Sequence, residues 1–164
     1  MLAAVYTTEK KIVHSMSENK RKPALTKAQL AEQLKSARAL FEIGPPRLIG
    51  VEPVIISRSK ITARLKVQPH HLNRNNRVGG GILMAMADVM GAAGAVANRP
   101  PNHSGGTIES KTNFFSAAVG PVLKASSTPL HVGHTTSVWE TTIKGGDDKV
   151  AAIVTQTQIM LPKG

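Results

Sequence analysis

An α+β fold, a curved antiparallel β-sheet wrapped around one long central helix with an extra helix in front, follows from three features of the 164-residue chain. The first is residues 82–97, rich in Ala, Met and Val, opened by Gly79-Gly80-Gly81 and closed by Asn98-Arg99-Pro100-Pro101. Helix formers fill this run and an Asn before a proline pair ends it, so it reads as a single helix. Second, apolar residues fall on every face of that helix, which therefore needs cover on all sides. Third, the flanking segments alternate apolar and polar residues between short polar turns, the period of half-buried antiparallel strands. One sheet cannot surround a helix, so a second copy of the chain is expected to complete the burial.

Taken in order, residues 1–25 form a basic arm, with Lys10, Lys11, Lys20, Arg21 and Lys22 among Ser, Thr and Asn. Such a segment reads as solvated and flexible; a mitochondrial transit peptide fits less well, since Glu9 and Glu18 interrupt the basic pattern. Residues 26–46 hold an amphipathic helix. Thr26 is its N-cap, Leu30, Leu34, Ala37, Leu40 and Phe41 recur at helical spacing, and Gly44-Pro45-Pro46 stops it. Residues 47–164 make the main domain. Strands are expected at 48–51, 54–57 and 60–67, then a polar loop at 68–78, the central helix, and strands at 107–115, 122–132, 135–144 and 149–161. Gly145-Gly146-Asp147-Asp148 joins the last two as a hairpin turn.

Composition narrows the chemistry. Without cysteine there is no disulfide, thiolate metal site or cysteine nucleophile. The histidines show no paired ligand spacing, and His70 and His71, being adjacent, point apart in an extended segment, so no metal site is read. Sixteen helical residues around a carboxylate fall short of the ~20 that a membrane span needs, and no signal-peptide core is visible, so a cytoplasmic protein is expected. A net charge of +11 favours an anionic partner. Nucleic acid is disfavoured, because the basic residues are dispersed, stacking aromatics are nearly absent and a lone front helix is no helix-turn-helix. Met84, Met86 and Met90 read as core filler rather than as the lining of an acyl tunnel.

Asp88 is the only charge between Arg77 and Arg99. A buried, unpaired carboxylate costs several kcal/mol or more, so Asp88 must be paired, neutralised or turned to a cleft. From the helix alone it is either a polar bridge between elements or a catalytic acid or base.

The series Leu72-Asn73, Val78-Gly79-Gly80-Gly81, Met86-Ala87-Asp88, Gly106-Thr107-Ile108-Glu109, Asn113-Phe114-Phe115, Gly133-His134-Thr135-Thr136-Ser137-Val138-Trp139-Glu140, Val150-Ala151 and Thr155-Gln156-Thr157-Gln158 resembles the hotdog-fold acyl-CoA thioesterases of the phenylacetate-pathway (PaaI-like) type. The resemblance covers roughly residues 47–162. It implies a helix wrapped by the sheet, homodimers or dimers of dimers, two active sites at the dimer interface, an acyl-CoA substrate and no separate cofactor. By the same resemblance Asp88 is the general base or nucleophile, the Gly80 N–H forms the oxyanion hole, Asn73 helps to hold the thioester carbonyl, and Thr107 assists the water. One position departs: Gly79 stands where the family usually has histidine. That departure supports the alternative of a non-catalytic acyl-CoA-binding or sensing protein.

Thioester hydrolysis needs a base near the carbonyl carbon and donors near the developing oxyanion. Gly80 and Gly81 supply free N–H groups at the positive end of the helix macrodipole. Asp88 lies eight residues on, about 12 Å along the helix axis, whereas reacting atoms must approach to roughly 3–3.5 Å. Two chains with antiparallel helices solve this, with Gly80 and Asn73 from one and Asp88 and Thr107 from the other. Glu109 is the rival carboxylate and reads as a surface residue paired with Lys111 or another base. Arg74, Arg77, Arg99, Lys111 and His134 are the candidates for the coenzyme A phosphates.

Overall fold

The structure, a computed structural model, describes residues 25–164, so the arm expected over residues 1–25 falls outside the described residues except for Leu25. Thr26 caps helix α1 (Lys27–Ala39): its hydroxyl accepts from the Gln29 N–H at 3.1 Å, and the Gln29 side-chain carbonyl accepts from the Thr26 N–H at 3.0 Å. This reciprocal pair satisfies two N–H groups at the helix start. The packed face of α1 is not purely apolar. Gln33 is buried beside Ala37 and donates to the Arg99 carbonyl, fastening α1 to the end of the central helix.

A 3-10 turn (Leu40–Glu42) buries Phe41, and Gly44, at φ 61°, ends the helical path. Pro45 and Pro46 do more than stop α1. They sit in the first turn of a short helix α2 (Gly44–Leu48), where a missing N–H breaks no bond. The strand expected at 48–51 is therefore the end of α2 followed by a turn at Gly50, φ 69°. Leu48 is exposed there. Extended chain begins at β1 (Val51–Ile56) and returns as β2 (Ile61–Lys66), where Ile61, Ala63 and Leu65 are buried and Arg64 and Lys66 exposed.

The central helix α3 (Gly80–Asn98) is followed by β3 (His103–Phe114), β4 (Val122–Val132), β5 (Thr136–Lys144) and β6 (Val150–Pro162). Six strands form one antiparallel sheet in the order β1-β2-β4-β5-β6-β3. The chain leaves β2 near one edge and re-enters at the other as β3, and α3 makes that crossing over the inner face. Leu83, Met86 and Met90 of α3 pack with Ile61, Leu65, Leu123, Ile143 and Val154 in the core. Each such side chain contributes about 1.5–3 kcal/mol on burial. The hairpin turn after β5 is closed by Gly145 N–H to the Lys149 carbonyl and by Asp148 N–H to the Gly145 carbonyl.

At 19 residues α3 exceeds the expected 16, and it is long and apolar enough to cross a membrane by length and composition alone. Its packing under the sheet marks it as a core helix. One stripe stays uncovered: Gly81, Met84 and Asp88 are exposed, with Ala85 and Ala92 half-buried beside them. Met84 is thus not core filler within one chain. The edge strand β3 next to this stripe is exposed over most of its length, including Ile108 and Phe114.

Candidate active site

The loop before α3 is ordered from within. Asn73 Oδ1 accepts from the N–H groups of Asn75 (2.9 Å) and Arg77 (3.2 Å), and Leu72 bridges Val78. Asn76 takes the left-handed region at φ 55°, which asparagine tolerates. The Asn73 Nδ2 donor makes no hydrogen bond among the described residues. Ahead of it, a 3-10 turn (Pro69–His71) replaces the expected extended segment, so the His70 and His71 rings meet edge to face at 4.2 Å instead of diverging. His71 Nδ1 accepts from the Gln68 N–H at 3.0 Å, which leaves the proton on Nε2. Burial, then the neighbouring His70, lowers the His71 pKa.

The His71 carbonyl accepts from the Gly79 N–H at 2.9 Å and so sets where α3 begins. In the first turn the N–H groups of Gly80 and Gly81 have no intrahelical acceptor, and they make no other backbone bond among the described residues. The Phe114 ring lies against Gly80, close to where a side chain would stand.

Asp88 sits on the uncovered stripe. Its Oδ1 accepts from Thr107 Oγ1 at 3.0 Å and from Gln156 Nε2 at 3.0 Å, and Thr107 Oγ1 in turn accepts from Gln158 Nε2 at 2.9 Å. A β-bulge makes this possible. Thr107 pairs with Gln158 and Glu109 with Thr157, so Ile108 is an extra residue and strand parity reverses between them. Thr107 faces the helix with Gln158, while Glu109 faces away with Thr157. The rival carboxylate is thereby removed from Asp88, and among the described residues it pairs with neither Lys111 nor another base. Asp147 and Asp148 are turn residues bound by Lys149 and Lys124.

Within one chain the phosphate candidates separate into two groups. Arg74 and Arg77 are exposed on the loop before α3 and Lys111 is exposed on β3. Arg99 and His134 line a small cleft with Arg58 at the other end of α3, about 28 Å from Gly80 by helical rise. A hollow of about 680 Å³ on the outer face of the sheet, lined by Val54, Thr62, Arg64, Lys124 and Lys144 among others, contains none of the sequence-predicted site residues. Two residues of the Asp88 network, Gln156 and Gln158, have no role in the sequence reading beyond their place in a motif. Their signal was parity: they occupy the inward positions of β6 that Ala152, Val154 and Met160 otherwise fill with apolar side chains.

Residues 75–152 match the family model described as Thioesterase superfamily. A 1,4-dihydroxy-2-naphthoyl-CoA hydrolase of Listeria monocytogenes is 23% identical over 111 residues, 68% of this chain and 90% of that protein. Among solved structures, thioesterase HI1161 of Haemophilus influenzae superposes with a TM-score of 0.70 at 18% identity, over 86% of this chain and 94% of that one. The PaaI protein of the E. coli phenylacetic acid degradation operon does so with a TM-score of 0.65 at 17% identity, over 80% and 95%. The six-stranded sheet wrapped around α3 is the hotdog fold of these thioesterases, and residues 75–152, from the loop before α3 to the start of β6, are similar to the Thioesterase superfamily.

Proposed function

We propose that the protein hydrolyses an acyl-CoA thioester to a carboxylic acid and free coenzyme A, in a site shared between two copies of the chain. The observation that carries this reading is the Asp88 carboxylate, held through Oδ1 by Thr107 and Gln156 on the one uncovered stripe of α3. That stripe, Gly81 to Asp88, is centred near Met84. A two-fold axis there sets two α3 helices antiparallel and brings Asp88 of one copy beside Gly80 of the other, as the 12 Å separation within a chain requires. The relative that hydrolyses 1,4-dihydroxy-2-naphthoyl-CoA supports a CoA ester as substrate.

In this reading Asp88 takes a proton from a water molecule as the water oxygen bonds to the thioester carbon. The carbonyl oxygen becomes negative and is received by the Gly80 N–H and the Asn73 Nδ2 of the other copy. Collapse of the tetrahedral intermediate breaks the C–S bond and releases coenzyme A as thiolate, with the acid as second product. Arg74, Arg77 and Lys111 near one helix end and Arg99 and His134 near the other are assigned to the coenzyme A phosphates, drawn together from two copies. The Gly79 N–H is already committed to the His71 carbonyl, so the loop is held without a histidine at 79.

The test is thiol release from acetyl-, palmitoyl- and benzoyl-CoA. Having no cysteine, the protein is silent to a thiol-reactive dye. Asp88→Asn should lower kcat by about 10²–10⁴-fold on any ester the wild type cleaves, the range for loss of a general base. Full turnover by the variant would refute the assignment of Asp88. Binding of all three esters without thiol release would instead identify an acyl-CoA sensor.

A further inference from the structure

We infer that Gln156 and Gln158 of β6 are positioning residues that aim the Asp88 carboxylate, an inference that rests on the reading of Asp88 as the base. Both glutamines are fully buried. Gln156 Nε2 donates directly to Asp88 Oδ1, and Gln158 Nε2 donates to Thr107 Oγ1, whose single proton goes to the same Oδ1. The direction of this chain is forced. A carboxylate only accepts, so Gln156 must present its NH₂ and not its carbonyl, and Thr107, with its proton spent, can only accept from Gln158.

The arrangement is costly to the fold. The Oε1 atoms of both glutamines are buried with no partner among the described residues. A buried carbonyl without a hydrogen bond is destabilising, and apolar residues of similar volume at both positions avoid that loss. What the two amides secure lies at the other end of the network. Two donors from different strands converge on Oδ1, which fixes the rotation of the carboxyl group, while Oδ2 accepts nothing among the described residues. The helix makes room for this. Gly91, three residues after Asp88, faces the Gln156 amide, and a Cβ there would collide with its Oε1.

The test uses Gln156→Leu in the full chain, with melting temperature, kcat and KM measured on the ester of the panel that wild type cleaves fastest. A merely structural glutamine predicts a lower melting temperature. A positioning glutamine predicts an unchanged or higher one, KM within about twofold, and kcat lowered about 10–100-fold, the scale of a small misplacement of a reacting group. Gly91→Ala reaches the same amide from the helix side. It should lower kcat on its own and add nothing to Gln156→Leu. A folded Gln156→Leu enzyme with wild-type kcat overturns the inference, as does a loss of kcat that follows a loss of melting temperature in both variants. Asp88→Asn separates the two levels: if it is inactive while Gln156→Leu is fully active, only the positioning role fails, whereas an active Asp88→Asn removes both.

Discussion

His71 holds the entrance to α3 through two groups at once, its carbonyl to the Gly79 N–H and its Nδ1 to the Gln68 N–H. The ring is 2% exposed, and burial followed by the nearby His70 depresses its proton affinity, which a contact to the Ile49 backbone only partly offsets. Protonation would also set an Nδ1–H against the Gln68 N–H. The native state therefore binds this proton less readily than the unfolded chain does. Stability from His71 is fully present above the ordinary imidazole pKa of about 6.5 and is lost as pH falls below it. The slope is at most about 1.4 kcal/mol per pH unit for one proton. Urea unfolding at pH 7.5 and 5.5 should show a larger loss for wild type than for His71→Gln, whose side chain does not titrate. Equal losses would place the acid sensitivity elsewhere. The sequence marked His71 only as one of an adjacent pair, since its burial depends on a 3-10 turn of three residues that no periodicity records.

At the scale of single elements, legibility followed the strength of the local signal. The Thr26 cap, the alternation in β2 and the limits of β4 were all readable, because each is written in neighbouring residues. Helix α2 was not, because Leu48-Ile49-Gly50-Val51 is apolar enough for a strand, whereas the proline pair starts a short helix that ends at Leu48 and leaves only Val51 in β1. Nor was the bulge at Ile108, which depends on what faces it in β6. The composition of α3 has a similar tertiary cause. Its glycines are poor helix formers, yet Gly94 packs under the fully buried Trp139, where a Cβ would lie 2.6 Å from the indole. Gly94→Ala improves local helix propensity and should still destabilise, by about 1–3 kcal/mol of overpacking. For a domain of this size that is a fall in melting temperature of roughly 2–12 °C by thermal denaturation. A higher melting temperature would mean that Trp139 moves aside at little cost.

For the molecule as a whole, the proposed function turns on whether two copies share the site and which copy supplies which half. An all-apolar helix led to the expectation of a covering partner, but which side of it stays open in one chain was not readable, because the uncovered stripe is set by where α3 crosses the sheet and by β3 lying at its edge. A shared site makes a prediction that no single-chain site makes. Asp88→Asn removes the base and Asn73→Ala removes a carbonyl donor, so each variant alone has two damaged sites per dimer. In a mixed dimer of the two, one site carries both defects and the other carries none. Random re-association of equal amounts should recover roughly a quarter of wild-type turnover, since half of all dimers formed are mixed and each of those has one intact site of two. Thiol release from the mixture, after subunits are exchanged through mild denaturant, measures this directly. If Asp88 and Asn73 of the same chain served one site, every site in the mixture would carry a defect and no activity would return. Recovery thus ties the residues on one α3 to the loop of its neighbour without any knowledge of the acyl group.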